Sequence, residues 1–311
     1  IGSTGFVGGH LARQHGFGAG FNSRTIGEAR GRAFDTVVCA AAPGSMLEAN
    51  RFPDRDAARI AALIDSLGTI EARRMVLVST IAVLADFQAE DEGTGAFQET
   101  TPYGVNRRTL EGACADRFER CLVVRLPALF GAGLKKNFLF DILNPMPSLL
   151  GEEPLATLRD ALPADLAGRL DDLYARDEAL GLWAIDRDAL DASGRRADFD
   201  AAVTALGRSA TGFTNPASRF QYYDMTRLWA DIGLGLDAGL EVLHLSPEPV
   251  AAGRVFEAVT GRPMPDTGAR LHREDMRTRH AALWGREGGY NAGADEVLAR
   301  VKAFCAAERG A

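Results

Sequence analysis

The first eleven residues, Ile1-Gly2-Ser3-Thr4-Gly5-Phe6-Val7-Gly8-Gly9-His10-Leu11, set glycines at positions 2, 5 and 8 directly ahead of a helical pattern. A strand, a glycine turn whose bare backbone can approach a pyrophosphate, and a helix whose N-terminus faces that anion form the dinucleotide-binding start of a Rossmann fold. Here the turn comes without a strand in front of it. Ile1 is therefore read as the last residue of that strand, and the sequence as a truncated version of a longer protein. The backbone placed around the dinucleotide is that of Gly2, Ser3, Thr4, Gly5, Phe6, Val7 and Gly8.

With 311 residues, 46% of them apolar, the chain can bury a substantial core in one large domain or two closely packed ones. Its net charge of -7 and the lack of a basic run argue against nucleic acid as a partner and for a small-molecule substrate. Cys39, Cys114, Cys121 and Cys305 show neither a CxxC pair nor metal-ligand spacing, so they read as thiols of a reducing compartment and no metal is expected. No apolar run approaches the roughly 18 residues of a spanning helix. The expectation is a cytoplasmic protein without a membrane segment.

Phe34 to Ala42 and Cys121 to Leu126 are apolar runs of the kind buried in parallel sheets, Arg74 to Ser79 reads as the next buried strand, and Gly18 to Arg24 as a further short strand. Helical periodicity separates them at Arg59 to Leu67 and from Tyr103 to Phe118, where Thr101-Pro102 opens the helix. Strand and helix alternate, so the predicted fold is α/β: a Rossmann-type doubly wound parallel sheet with a helical insertion and a small C-terminal substrate region. The predicted divisions are 1–134 for the dinucleotide-binding domain, 135–218 for a helical insertion without strands, 219–250 for a return to the sheet and 251–311 for the substrate side.

Ligands of such sheets sit outside the carboxyl ends of the strands. That gathers the glycine turn, Ser79 and Thr80 at one strand end, and Tyr103 at the start of the next helix. Arg107 follows Tyr103 by one helical turn and projects from the same face. A cation there favours tyrosinate and brings a phenol toward the working range of a general acid or base. His244, inside an apolar strand pattern, reads as a core residue, and Arg219, Tyr222, Tyr223 and Asp224 as structure at the sheet edge.

Five ordered segments resemble the extended short-chain dehydrogenase/reductase family, also called the NAD-dependent epimerase/dehydratase family. They are the glycine turn, Ala40-Ala41-Ala42, Val78-Ser79-Thr80-Ile81-Ala82-Val83, Pro102-Tyr103-Gly104-Val105-Asn106-Arg107 and Arg125-Leu126-Pro127-Ala128-Leu129-Phe130-Gly131. The resemblance implies an NAD(P)-dependent oxidoreductase or epimerase. Tyr103 is then the catalytic acid/base, Thr80 or Ser79 holds the reacting oxygen, and Arg107 stands at the family's lysine position. Ala40, Ala41, Ala42, Leu126 and Pro127 join the turn around the cofactor, and a homodimer would pack through the helices of Arg59 and Tyr103.

Three departures accompany it. Arginine keeps the charge of lysine but hardly ever gives up a proton. The Asn expected in the helix after Ala42 has no evident counterpart. Asn22-Ser23-Arg24 replaces the acidic residue that would hold a ribose hydroxyl, and Arg24 can pair with a 2′-phosphate, which favours NADP over NAD. Two readings stay open: a working enzyme, or an NAD(P)-binding sensor or scaffold that has lost hydride chemistry.

Overall fold

Parallel pairing is what the apolar runs produce. In the computed structural model, which describes residues 1–310, β1 (Ala33–Cys39), β2 (Glu71–Thr80), β3 (Cys121–Leu126) and the strand Val242–His244 lie in that order, all parallel. Strand residues alternate between two cores. On one face Val37, Cys39, Met75, Leu77 and Val123 pack against Ile60, Leu63 and Leu67 of helix α3 (Pro53–Gly68) and Leu110 of α4 (Pro102–Arg117). On the other, Val38, Val76, Val78 and Val124 meet Leu11 of α1 (Phe6–Gln14) and Ile232 of the helix Leu228–Asp237. Burial on both faces explains why these strands read as unbroken apolar runs.

Gly18 to Arg24 does not form the expected strand. Phe21 carries its contacts: the ring is buried in the core beside Phe34, and the carbonyl accepts from the backbone N–H groups of Gly2 at 2.7 Å and Ser3 at 3.2 Å. Glycines at 16, 18 and 20 leave the segment with little side chain to pack into a pleated surface.

The chain divides into two compact units. The first takes Ile1–Leu134, Arg219–Val250 and Arg273–Phe304; the second takes Lys135–Ser218, Ala251–His272 and the chain end from Cys305. In the second unit the helices Glu152–Ala161, Arg187–Ala192 and Arg196–Ala205 enclose a core of Leu155, Leu158, Leu190, Phe199 and Val203. The expectation of an insertion without strands is wrong. Leu149–Leu150, Leu182–Ile185 and Tyr174–Asp177 form an antiparallel sheet, with Gly181 at φ +64° in the hairpin turn. These strands are two to four residues long. Such short, half-exposed segments carry too little alternation to be read from sequence.

Asp141 in the second unit carries a pH signature. Burial pushes its carboxyl up to about 7, and the nearby Arg187 only partly offsets this. The native state thus holds a proton that the unfolded chain releases near pH 4, so the contribution of this one group to stability is greatest at low pH and falls as pH rises from about 4 to 7. Asp141→Asn is expected to remove that slope and to raise stability at pH 8 by about 2 kcal/mol. Urea unfolding at pH 5 and pH 8 reads this, and an unchanged difference between the two pH values would refute it.

Candidate active site

Two close backbone approaches build the site. The amino group of Ile1 donates to the Val38 carbonyl at 2.6 Å and the Ala40 N–H to the Ile1 carbonyl at 2.9 Å, so the glycine turn starts beside the carboxyl end of β1. A Cβ on Gly8 would lie 2.0 Å from the Gly2 carbonyl oxygen, so only glycine lets α1 begin so near the turn. The helix cap is Gly5, with no side chain to occupy the first N–H groups. Those of Phe6, Val7 and Gly8 are left for an anion. Ser3 Oγ donates to the Phe21 carbonyl at 3.3 Å, while Thr4 and Gly5 are exposed. Ala40, Ala41 and Ala42 leave the end of β1 half-buried, and Leu126 and Pro127 leave β3 in the same direction. Arg24 is exposed, its N–H bonded to Asn22 Oδ1 at 2.9 Å.

The second approach is at Gly104, where a Cβ would lie 2.2 Å from the Ala82 carbonyl oxygen. The start of α4 thereby seats against the turn that follows β2. Asn50 of the short helix α2 (Met46–Arg51) accepts the Tyr103 N–H at 3.0 Å and fixes that end of α4. Thr80 hydrogen-bonds the Tyr103 phenol and accepts the Ala82 N–H at 3.2 Å. Ser79 is turned elsewhere: its hydroxyl donates to Glu111 Oε1 at 2.6 Å.

Burial pushes the Tyr103 phenol above its ordinary value, and this outweighs the opposing pulls of Arg107 and Thr80. The lowering expected from Arg107 is thus present but overruled by desolvation. At neutral pH Tyr103 is a proton donor. The guanidinium carbon of Arg107 lies 4.1 Å from the Tyr103 ring centroid. One of its nitrogens donates to Asp56 Oδ2, another to the Pro43 carbonyl, and buried Nε has no partner. Asp56, on α3, also accepts from Asn106 Nδ2 at 2.8 Å. The helix that directly follows Ala42 is α2, and it does carry an asparagine, Asn50, which corrects the expectation that none stands there; Asp56 lies on the next helix.

Behind the site lies a buried cluster that the sequence reading missed. Arg125 donates to Glu111 through Nε at 3.0 Å and a terminal nitrogen at 2.7 Å, and its other nitrogen lies 3.1 Å from His244 Nε2. His244 Nδ1 faces the Arg277 carbonyl at 2.8 Å, so the partners assign a neutral ring protonated on Nδ1. Burial keeps that imidazole below its usual value. A lone arginine in the apolar run Cys121 to Leu126 was the available signal. Tyr222 and Tyr223 are buried, the latter donating to Asp231 at 2.6 Å, in a strand parallel to Ala128–Phe130.

The same fold recurs in solved proteins. RMD from Pseudomonas aeruginosa, complexed with NADPH, aligns over 97% of both chains with TM-score 0.53 and 15% identity. The shared fold is a Rossmann-type α/β fold with a parallel central sheet. MoeE5 in complex with UDP-glucose and NAD aligns over 99% of this chain and 98% of its own, with TM-score 0.57 and 14% identity. UDP-glucose 4-epimerase from Thermotoga maritima aligns over 89% and 77%, with TM-score 0.51 and 12% identity. No protein-family model matches the sequence, and no curated protein sequence does.

A dinucleotide fits the residues of this fold on three observations. The first turn of α1 is uncapped, Gly8 leaves no Cβ between turn and helix, and Arg107 keeps a buried Nε donor beside Tyr103. Among the described residues no group of acids, histidines and cysteines can hold a metal, and no helix is long and apolar enough to cross a membrane.

Proposed function

We propose that this chain is a cytoplasmic NAD(P)-dependent oxidoreductase or epimerase acting on an alcohol or carbonyl of a small, sugar-like substrate, with Tyr103 as acid/base. The observation that carries this reading is the meeting of Thr80, Tyr103 and Arg107 at the carboxyl end of β2. The likeness to proteins described with NADPH, NAD and UDP-sugars supports it. When bound, the nicotinamide supplies or accepts a hydride at its C4. Gly2, Ser3, Thr4, Gly5, Phe6, Val7 and Gly8 hold the pyrophosphate, with Ala40, Ala41, Ala42, Leu126 and Pro127 lining the cofactor. Thr80 hydrogen-bonds the reacting oxygen, Tyr103 delivers or removes its proton, and Arg107 Nε donates to a ribose hydroxyl. Ser79, committed to Glu111, orders the strand end instead of touching substrate. A homodimer through the α3 and α4 helices belongs to the same reading.

A preference for NADP belongs to this reading and is supported by Arg24, whose exposed guanidinium suits a 2′-phosphate. Arg24→Ala is expected to weaken NADPH binding about fivefold to tenfold with NADH unaffected. Fluorescence titration of both nucleotides measures it; equal losses would remove Arg24 from the site. The function itself is tested by NADPH oxidation with a panel of keto-sugar nucleotides. A sensor or scaffold without turnover is the second reading. It is favoured by the engagement of Arg107 with Asp56 and Pro43, and nucleotide binding without turnover across that panel would select it.

A further inference from the structure

The Arg107 guanidinium is 2% exposed and Asp56 is 5% exposed, so their ion pair is withdrawn from water. Each is held from more than one side: Arg107 by Asp56 and the Pro43 carbonyl, Asp56 by Arg107 and Asn106. The pair lies directly under an aromatic ring, with the guanidinium 4.1 Å from the Tyr103 centroid. An unpaired cation in that position would pull the phenol toward tyrosinate. A cation whose charge is partly offset by a buried carboxylate does so less.

We propose that Asp56 is a positioning residue: it anchors the Arg107 guanidinium beneath the Tyr103 ring and offsets part of its charge there, which adds to burial in favouring the protonated phenol that carbonyl reduction uses. The reduction it favours balances simply. The carbonyl carbon accepts a hydride from a reduced nicotinamide, the carbonyl oxygen takes the phenolic proton, and the products are an alcohol and the oxidised nucleotide. Tyr103 then recovers its proton from solvent. The charged groups acting on the phenol are Arg107 on its own helix and Asp56 on α3. Thr80 at the end of β2 contributes a hydroxyl, and Asn50 of α2 holds the backbone. Of the other charged residues of α4, Arg108 and Glu111 are bonded to each other at 3.0 Å.

The preference for reduction rests on the proposed function, but the charge offset does not. Its test is therefore made without nucleotide or substrate. Ultraviolet difference titration of the wild-type protein against Tyr103→Phe isolates one tyrosine. That tyrosine should titrate above the ordinary value near 10. In Asp56→Asn, taken against Asp56→Asn/Tyr103→Phe, it should titrate at least about one pH unit lower than in the wild type. A folded Asp56→Asn protein with an unchanged Tyr103 titration would overturn the proposal. Should Asp56→Asn fail to fold, Asp56→Asn/Arg107→Met, which removes both charges, decides: Tyr103 should titrate within about half a pH unit of the wild type, and a rise of one unit or more, the mark of an Arg107 charge that Asp56 does not offset, would overturn the proposal. A protein that passes this titration yet turns over no substrate keeps the role of Asp56 and loses the proposed function.

Discussion

Tyr103→Phe is expected to lower kcat for reduction of a carbonyl substrate by about 10²–10⁴-fold, the usual contribution of a positioned proton donor. The substitution removes one oxygen and leaves the ring on which the Arg107 guanidinium stacks. Folding and nucleotide affinity should therefore change little. That combination separates a chemical role from a packing one, because a ring that only filled space would be served as well by phenylalanine. The Thr80 hydroxyl loses its phenolic partner but keeps the Ala82 N–H. Stopped-flow oxidation of NADPH, with binding measured on the same preparations, gives both quantities. Turnover within a few-fold of the wild type would take Tyr103 out of the chemistry.

Arg125→Met is expected to cost about 3–5 kcal/mol of stability, because it strands a carboxylate that has been withdrawn from water. Glu111 is 1% exposed and takes two hydrogen bonds from Arg125, and Arg108 and Ser79 cannot replace a bidentate guanidinium. The cluster ties together the end of β2, α4, β3 and the strand Val242–His244. Loss should therefore appear as a cooperative shift of the urea midpoint without a change in slope. Replacing both partners, as Glu111→Gln/Arg125→Met, should recover a large part of the loss, since the buried charge is then gone. A single variant that unfolds at the wild-type midpoint would show that the pair contributes nothing.

How legible these features were in the sequence follows from how local each one is. The sheet was legible because β1, β2 and β3 are buried on both faces and so appear as apolar runs, with helices of clear period between them. Gly8 was legible from its place in the opening glycine turn, whereas Gly104, quoted only as part of the segment Pro102 to Arg107, was given no role of its own. What stayed hidden depends on partners distant in the chain. Asp56 looks like one more acid in the opening turn of α3 until Arg107 is seen beside it. Arg107 looked like a free helper for Tyr103 until the structure showed it bonded to Asp56 and the Pro43 carbonyl. Ser79 and Thr80 are neighbours in the sequence, but alternation along β2 sends one hydroxyl to Glu111 and the other to Tyr103. The small antiparallel sheet of the second unit was missed for the opposite reason, since its strands are too short to show a period.

The central claim is that the glycine turn and the Tyr103 cluster form one nicotinamide dinucleotide site, and calorimetric titration of the purified protein with NAD, NADH, NADP and NADPH tests it most directly. Saturable binding of at least one of them, one per chain, is the predicted result, and Gly8→Val, which forces a side chain against the Gly2 carbonyl, should abolish it. No binding of any of the four by folded protein would contradict the account.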